Sequence, residues 1–405
     1  MRVVLGVGGG IAAYKACELL RRFSESGADV TVVPTRAALE FIGAPTWSAL
    51  SGKPVSAEVW TDVSEVPHVR IGQQADLLVI APATADLMAK AASGLADDLL
   101  TNTLLTARCP VVFAPAMHTE MWEHPATQAN VDLLRQRGAL VIEPAVGRLT
   151  GADTGKGRLP DPGEIFAIAQ DTLARGRVDR DLVGKRVVVT AGGTREPLDP
   201  VRFLGNRSSG LQGYALARTA MSRGAEVVLI AANAALPDPA GVEVISVETT
   251  EQLQEAVQKA CVGADALVMA AAPADFRPDS VATAKIKKRE DGSVPAVSLV
   301  QNPDILAGIS QSRPNPHIVV VGFAAETGDE HGSVVEHATA KLERKGCDLL
   351  VVNNVSGGQV FGEEDNQAVL LAPGRTAISV PRGSKGAIAN AIWDQVQQDF
   401  WASQR

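Results

Sequence analysis

The stretch VVLGVGGGIAAYK, residues Val3–Lys15, decides the fold predicted for the start of the chain. A short apolar run ends in three consecutive glycines and a helical pattern follows, which is typical of the strand–turn–helix opening of a nucleotide-binding α/β domain. Backbone N–H groups at such a helix start attract an anion. The spacing Gly8-x-Gly10-x-x-Ala13 fits the dinucleotide pattern, although a turn that merely packs strand against helix would also show it.

The end of the second predicted strand distinguishes two kinds of nucleotide. An NAD site places an acidic residue there, about 20 residues after the glycines, to bind the ribose hydroxyls. This chain reads Val33-Pro34-Thr35 instead. A hydroxyl suits a mononucleotide phosphate, so the turn favours a mononucleotide over NAD.

Short apolar runs alternate with helical patterns along the whole chain, which predicts a parallel sheet in each half. The fold class is therefore α/β, with two doubly wound, Rossmann-like or flavodoxin-like domains in series, 1–178 and 179–405. The boundary falls in the charged stretch Arg175–Gly184, and a single helix follows Val380. The predicted strands are Val3–Val7, Asp29–Val33, Leu77–Ala81, Val111–Ala114 and Leu140–Ile142, then Arg186–Thr190, Glu226–Ala231, Ala266–Ala270, His317–Val321 and Asp348–Val352.

Composition excludes several classes of protein. Among 405 residues, 46% are apolar and the net charge is −8, which argues against a nucleic-acid binder because phosphates require clustered Lys and Arg. No apolar run reaches the ~20 residues that span a bilayer, so we expect no membrane segment. The four cysteines (Cys17, Cys109, Cys261 and Cys347) are scattered, without a CxxC pair. We therefore expect a cytoplasmic protein without disulfides or a zinc site.

Two further segments leave the carboxyl ends of predicted strands, the edge at which open α/β sheets bind ligands. They are Ile80–Asp86, IAPATAD, and Ala114–His118, APAMH. Small residues there let a flat ring approach the backbone, although Met117 alone fits a core position equally well. His68 precedes the third strand, and a lone histidine is more often structural than catalytic.

At these residues the chain resembles a known family. Gly9–Lys15, Ala81–Asp86 and Pro115–Met117 resemble the FMN-dependent cysteine decarboxylases of coenzyme A biosynthesis. The second half resembles the phosphopantothenate–cysteine ligases over a longer, more specific signature. Its motifs are TAGGTREPLDPVR (Thr190–Arg202), NRSSG (Asn206–Gly210), ADF (Ala274–Phe276), KIKK (Lys285–Lys288), NPDI (Asn302–Ile305) and GFAAET (Gly322–Thr327). The chain as a whole is similar to the bifunctional bacterial enzymes that carry both activities.

The resemblance implies that the second half condenses 4′-phosphopantothenate with cysteine, using CTP through an acyl-cytidylate. It places Asn206 on the acyl intermediate, Arg202 and Lys285 at the reaction centre, and Asp275 beside Mg²⁺. The other implied nucleotide contacts are Ala270, Ala271, Ala272, Pro303, Asp304, Ile305, Leu306, Phe323, Lys341 and Lys345. Taken alone, Asp304 fits a helix N-cap, and the two lysines fit an ordinary surface. Leu211 replaces a common family lysine, and Pro273 a common valine.

The resemblance implies that the first half decarboxylates 4′-phosphopantothenoylcysteine to 4′-phosphopantetheine with FMN. His68 matches the catalytic histidine, and His118 borders the flavin and the substrate carboxylate where the family commonly has Asn. Gly8 replaces a common serine, and Gly151 stands where the family has a flap cysteine. The proton donor is therefore open between His118, Asp153 and water. The implied FMN contacts are Gly8, Gly9, Gly10, Ile11, Thr35, Ala83, Thr84, Pro115, Ala116 and Met117, with the Asp97–Thr101 region.

Two other functions compete with this interpretation. An NAD-dependent reductase would need an acid closing the second strand of either half, and neither has one. A ligase with an impaired, flavin-binding regulatory first half would explain the departures from the family pattern. The resemblance further implies a homo-oligomer, with trimers of the first domain and dimers of the second, and small-molecule substrates as partners.

Overall fold

The structure is a computed structural model that describes residues 1–58, 66–149, 153–287, 296–326, 334–354 and 365–402. The chain forms two compact units, Met1–Asp179 with Pro239–Gly241, and Arg180–Asp238 with Val242–Arg405. We call them the amino-terminal and carboxy-terminal units. Within the described residues, no helix is long and apolar enough to cross a membrane.

The amino-terminal unit is built on a five-stranded parallel sheet in the order β2-β1-β3-β4-β5, with a separate hairpin, β6–β7. That order is the flavodoxin-like form of a doubly wound sheet. The strands are β1 Arg2–Val7, β2 Asp29–Pro34, β3 Leu77–Ala83, β4 Val111–Pro115, β5 Leu140–Val141, β6 Ala145–Arg148 and β7 Thr154–Arg158. The helices are α1 Ala13–Glu25, α2 Arg36–Phe41, α3 Ala44–Ser51, α4 Pro67–Gln74, α5 Ala85–Ser93, α6 Leu99–Thr106, α7 Thr119–Glu123, α8 Pro125–Gln136 and α9 Pro162–Arg175.

The carboxy-terminal unit contains an eight-stranded sheet in the order β12-β11-β8-β13-β16-β17-β18-β19. Its first six strands are parallel and follow the Rossmann order, and the last two are antiparallel. Its strands are β8 Arg186–Gly192, β9 Arg195–Pro197, β10 Phe203–Gly205, β11 Glu226–Ala232, β12 Glu243–Val247, β13 Ala266–Met269, β14 Phe276–Pro278, β15 Leu299–Gln301, β16 Val319–Glu326, β17 Leu349–Asn354, β18 Asp365–Leu371 and β19 Ile378–Ser384. Its helices are α10 Leu211–Ser222, α11 Thr250–Ala260, α12 Ile305–Gln311, α13 Val334–Lys345 and α14 Lys385–Val396, and a π-helical turn follows at Gln397–Trp401.

The predicted fold class, two doubly wound α/β domains in series, is confirmed. The strands form because their apolar runs are buried on both faces, as β3 is along its whole length. The two units divide between Asp179 and Arg180, one residue after the boundary predicted from the sequence, which lies between residues 178 and 179.

Strand bounds differ from the sequence prediction at several ends. The strand expected over His317–Val321 begins at Val319, because Asn315 holds a turn by accepting from the N–H groups of His317 and Ile318. Most other predicted strand ends differ from the observed ends by one or two residues. Several strands continue into the small residues that follow them, whereas the strand Ala266–Met269 stops one residue earlier than predicted.

Candidate active sites

A cavity of about 920 Å³ opens at the carboxyl edge of the amino-terminal sheet. It lies where the strand order reverses between β1 and β3, the point at which doubly wound sheets bind ligands. The volume is at the upper end of the roughly 300–1,000 Å³ of small-molecule sites. Its lining includes ten residues that were assigned to this site from the sequence: Gly9, Gly10, Ile11, Thr35, Thr84, Asp97, Asp98, Ala116, Met117 and His118.

Three of these lining residues begin helices. The hydroxyls of Thr35 and Thr84 accept from the N–H groups of Ala38 and Leu87, so they cap α2 and α5. Asp98 caps α6 by accepting from Thr101 N. Three helix starts therefore face one cavity, and α1, whose N-cap is Ala12, has no side-chain cap. Helix N-termini together favour an anionic ligand.

The glycine turn is shaped by close backbone approach. Gly8 donates its N–H to Pro82 O at 3.0 Å, and a Cβ at position 8 would lie 2.5 Å from that oxygen. A Cβ at Gly9 would lie 2.3 Å from the Ala37 Cβ. With this backbone a serine at position 8 would require the turn or the Pro82 carbonyl to shift. Gly8, Ala83 and Pro115, which were also predicted as FMN contacts, do not line the cavity.

His118 is the histidine of this cavity. It precedes α7, and its imidazole Nδ1 lies 3.9 Å from Asp153 Oδ2, with both side chains largely exposed. The neighbouring Met117 donates its N–H to Gly157 O at 2.9 Å, which joins the segment to the β6–β7 hairpin. Met117 both packs against the core and lines the cavity, so its assignment as an FMN contact stays a prediction.

His68 lies outside the lining of this cavity. It sits in the first turn of α4, half-buried, and its carbonyl oxygen accepts from the Thr106 hydroxyl at 2.8 Å. Its Nδ1 is buried without a hydrogen-bond partner within the described part of the chain. Buried polar atoms in folded proteins are nearly always paired, so this nitrogen calls for an explanation.

Five cations line the cavity, namely Lys15, Arg36, Lys90, Arg148 and Arg158, and none of them was assigned a site role from the sequence. Lys15, in the first turn of α1, and Arg158, at the end of β7, both line it. Burial and then the nearby Arg158 guanidinium hold the pKa of the Lys15 ammonium below its usual value. Neither forms an ion pair with another described residue, which leaves both available to an anion. The feature of the sequence that could have indicated this site is a lysine, Lys15, a few residues after the glycine-rich turn.

The switch point of the carboxy-terminal sheet lies between β8 and β13, and most of the ligase motifs gather around it. Asn206 Nδ2 donates to Pro273 O at 2.8 Å, joining the NRSSG segment to the loop after β13. Asn302 N donates to Asp275 O at 2.9 Å, which brings the NPDI turn to the same loop. Asn206 and Asp275 are exposed and accessible to a ligand.

The predicted nucleotide contacts differ in whether their polar groups and side chains are free to bind a ligand. The N–H groups of Ala270, Ala271 and Ala272 already donate to Val268 O, the Thr190 hydroxyl and Gly192 O. The side chains of Ile305 and Leu306 lie in the hydrophobic core. Asp304 caps α12 through Ala307 N and forms an ion pair with Lys345. Pro303 is exposed, and Phe323 and Lys341 are half-buried.

Arg202 and the lysine-bearing segment meet at a carboxylate that sequence reasoning did not single out. Asp199 Oδ2 accepts from Arg202 Nη2 at 2.6 Å and from Ile286 N at 3.1 Å. Lys285 and Lys287, both exposed, flank Ile286. Lys288, Arg289, Thr327 and the flap residues Thr150–Ala152, including Gly151, lie outside the described residues.

Two family models divide the chain between them. The model described as Flavoprotein matches residues 1–174, and the one described as DNA/pantothenate metabolism flavoprotein C-terminal domain matches residues 182–400. The coenzyme A biosynthesis bifunctional protein CoaBC of Mycobacterium tuberculosis (strain ATCC 25618 / H37Rv) is 59% identical over 401 residues, which cover 98% of this chain and 96% of that protein. The chain belongs to the CoaBC family.

More distant CoaBC proteins match over the same length. The one from Vibrio cholerae serotype O1 is 42% identical over 402 residues, covering 98% of each chain. A crystal structure of the C-terminal domain of a coenzyme A biosynthesis bifunctional protein CoaBC is 32% identical, with a TM-score of 0.46, and covers 54% of this chain and 97% of that domain.

The amino-terminal cavity of this CoaBC-family chain fits a flavin mononucleotide. Capped helix starts and the uncapped α1 suit its phosphate, and Ala116 and Met117 offer a small-residue surface for its ring system. For a divalent cation, no group of three or more His, Cys, Asp or Glu side chains converges anywhere in the described ranges. Asp275 would hold such an ion with one carboxylate, the rest of the shell coming from phosphates and water, which is the way Mg²⁺ is usually bound beside nucleotides.

Proposed function

We propose that this chain makes 4′-phosphopantetheine from 4′-phosphopantothenate and cysteine in two reactions, one in each unit. The observation that carries this is the full-length match to CoaBC proteins, since 98% of the chain aligns and both family models are present. Residues gathered at the switch points of two separate sheets give each reaction its own site.

The carboxy-terminal unit performs the first reaction, a CTP-dependent ligation. A carboxylate is a poor acyl donor, so transfer of CMP from CTP turns it into an acyl-cytidylate and releases pyrophosphate. The cysteine amine then displaces CMP. Arg202 and Lys285 offset the repulsion between two anionic substrates, and the Asn206 amide donates to the acyl group. Mg²⁺ on Asp275 would supply further charge neutralisation to the triphosphate.

The amino-terminal unit performs the second reaction, decarboxylation of 4′-phosphopantothenoylcysteine. FMN would supply the two-electron oxidation of the thiol that makes loss of CO₂ feasible, and would return the electrons afterwards. The residues of the chain bind and orient the substrate. Lys15 and Arg158 bind anionic groups at the mouth of the cavity, and His118 faces the substrate carboxylate.

His118 also delivers a proton to the enethiolate that remains after CO₂ is lost. Histidine is the side chain whose charge ordinarily changes between about pH 5 and 8, which suits a general acid at neutral pH. None of the four cysteines lines the cavity. Asp153 Oδ2 lies 3.9 Å from the imidazole Nδ1, where its charge would favour the imidazole whenever the ring carries the proton.

His68 takes part in decarboxylation from outside the cavity lining of its own chain. The imidazole does not line the cavity of its own chain, and a neighbouring subunit could bring it to that cavity. The proposal therefore includes a homo-oligomer, with trimers of the first domain and dimers of the second. A cytoplasmic location, where CTP and cysteine are available, completes it.

Mass spectrometry on the purified protein with 4′-phosphopantothenate, cysteine, CTP and Mg²⁺ tests the proposal. Formation of CMP and 4′-phosphopantetheine is expected. Accumulation of 4′-phosphopantothenoylcysteine would contradict the proposed decarboxylase half and favour a regulatory flavin-binding unit. Absence of CMP would contradict the ligase half.

A further inference from the structure

Asp199 is a fully buried carboxylate that accepts five hydrogen bonds. Its Oδ1 accepts from Val201 N and Arg202 N, each at 2.9 Å. Its Oδ2 accepts from Arg202 Nε at 3.0 Å, from Arg202 Nη2 at 2.6 Å and from Ile286 N at 3.1 Å. Burying a charge is costly unless it is paired and hydrogen-bonded, and this carboxylate is both.

The five donors come from two segments that are distant in sequence. Arg202 Nη2 donates to Ile286 O at 2.8 Å as well as to Asp199, so both the N–H and the carbonyl of Ile286 are held. Close by, Ala282 N donates to Leu198 O at 3.1 Å. The segment Ala282–Ile286 is therefore docked along the turn Leu198–Arg202.

These two segments carry the cations assigned to the anionic substrates. Arg202 lies on the first, with its guanidinium about half exposed. Lys285 lies on the second and Lys287 directly follows it, so a lysine stands on each side of Ile286. A flexible chain would have to order these cations on binding, and that entropy opposes affinity.

We propose that Asp199 is a positioning residue of the ligase site: it sets Arg202 and the Lys285–Lys287 segment at a fixed separation, matched to the two anionic substrates. The proposal rests on the ligase function proposed above. Asp199 acts through the cations and makes no contact with the substrates itself.

Asp348 provides a matched control in the same unit. It accepts from Arg313 Nη1 at 2.8 Å, from Arg313 Nη2 at 3.0 Å and from Val320 N at 2.7 Å. It therefore joins two segments through an arginine and a backbone amide, as Asp199 does. It lies at the amino ends of β16 and β17, the edge of the sheet opposite the switch-point loops. Loss of its charge should affect folding without affecting the substrate cations.

The test compares full-length Asp199→Asn and Asp348→Asn in steady-state ligation. For Asp199→Asn we expect kcat/KM for CTP and for 4′-phosphopantothenate to fall by about 10- to 100-fold, mainly through KM, with KM for cysteine unchanged. For Asp348→Asn we expect wild-type KM values. Decarboxylation of supplied 4′-phosphopantothenoylcysteine by each variant reports the folded amino-terminal unit.

Hydrogen exchange keeps the proposal testable if Asp199→Asn loses all ligation. Faster exchange at Ile286 in that variant, with normal exchange in β8 and β13, is expected; global loss of protection would assign Asp199 to folding and overturn the proposal. Wild-type KM values in Asp199→Asn, or an equal KM rise in Asp348→Asn, would also overturn it. Failure of the wild type to convert CTP to CMP would instead contradict the ligase function.

Discussion

The Lys345 ammonium forms an ion pair with the Asp304 carboxylate, although the family resemblance assigns both side chains to the nucleotide. The same carboxylate caps α12 by accepting from Ala307 N at 3.1 Å. Asp304 therefore fixes the start of a helix and the position of a cation together. We therefore expect any effect of Asp304 on CTP binding to pass through Lys345.

Two substitutions at position 304 separate these roles. Asp304→Ala removes cap and ion pair, so we expect the free energy of unfolding to fall by about 1 kcal/mol and KM for CTP to rise. Asp304→Ser keeps a capping hydroxyl, so stability should return while KM stays high. Urea denaturation and ligation kinetics measure both. A wild-type KM in Asp304→Ser would show that Lys345 does not need its partner.

Replacing His118 tests proton delivery in the amino-terminal cavity. His118→Asn introduces the residue common in the family and keeps a donor for the substrate carboxylate while removing the acid. We expect the flavin absorbance to bleach normally on mixing with substrate and to recover about 100-fold more slowly. Stopped-flow absorbance resolves the two phases. Recovery at the wild-type rate would assign the proton to water, and Asp153→Asn serves as the milder comparison.

His68 should matter to one reaction only. Replacing it with Asn removes the imidazole from the first turn of α4, and we expect decarboxylation to fall by at least about 100-fold. Ligation should keep its wild-type rate because that site belongs to the other unit. Parallel assays on one preparation measure both reactions. Decarboxylation at the wild-type rate would refute the assigned role, and loss of both activities would indicate a folding defect.

The parts of the fold that sequence predicted well are those dominated by burial. Continuous apolar runs such as Leu77–Ala81 are typical of strands in a parallel sheet that is covered on both faces. The strand order also places segments from distant parts of the chain at one edge, so the motifs after β1, β3 and β4 share the cavity. The antiparallel strand β19 was missed because it is largely exposed and shows no such run.

The contacts that sequence did not predict depend on pairing between distant residues. Asp199 was visible as one letter of a signature, but its bond to Ile286 joins residues 87 positions apart. Lys15 was visible as the last residue of the glycine-turn motif without a role, because its place on the cavity follows from the way that turn is folded. The residue types predicted which side chains could bind anions, and tertiary packing decided which of them already pair with other residues of the chain.

Acid should destabilise the carboxy-terminal unit through Asp199. The hydrogen bonds from Arg202 hold the pKa of this carboxyl well below its usual value of about 4. A folded-state pKa below the unfolded one contributes stability that is fully present above about pH 4 and is lost as the pH falls further. The urea concentration at the unfolding midpoint of the wild type should therefore decrease as the pH is lowered below about 4. Asp199→Asn should be less stable at pH 7 and show a smaller acid loss; an unchanged acid dependence would contradict the assignment.

Two buried thiols should be inert in the folded chain. Burial raises the pKa of Cys261 to about 12 and that of Cys347 to about 11, so almost no thiolate exists at pH 8. Both lie in the core of the carboxy-terminal unit. We expect alkylation by iodoacetamide at pH 8 to reach them only at the rate of unfolding, and mass spectrometry of the labelled peptides measures this. Labelling in urea supplies the control, because both thiols then react freely. Rapid labelling of Cys347 under native conditions would show that the segment beginning β17 opens locally, and the Arg313–Asp348 pair beside it would then be the contact to strengthen.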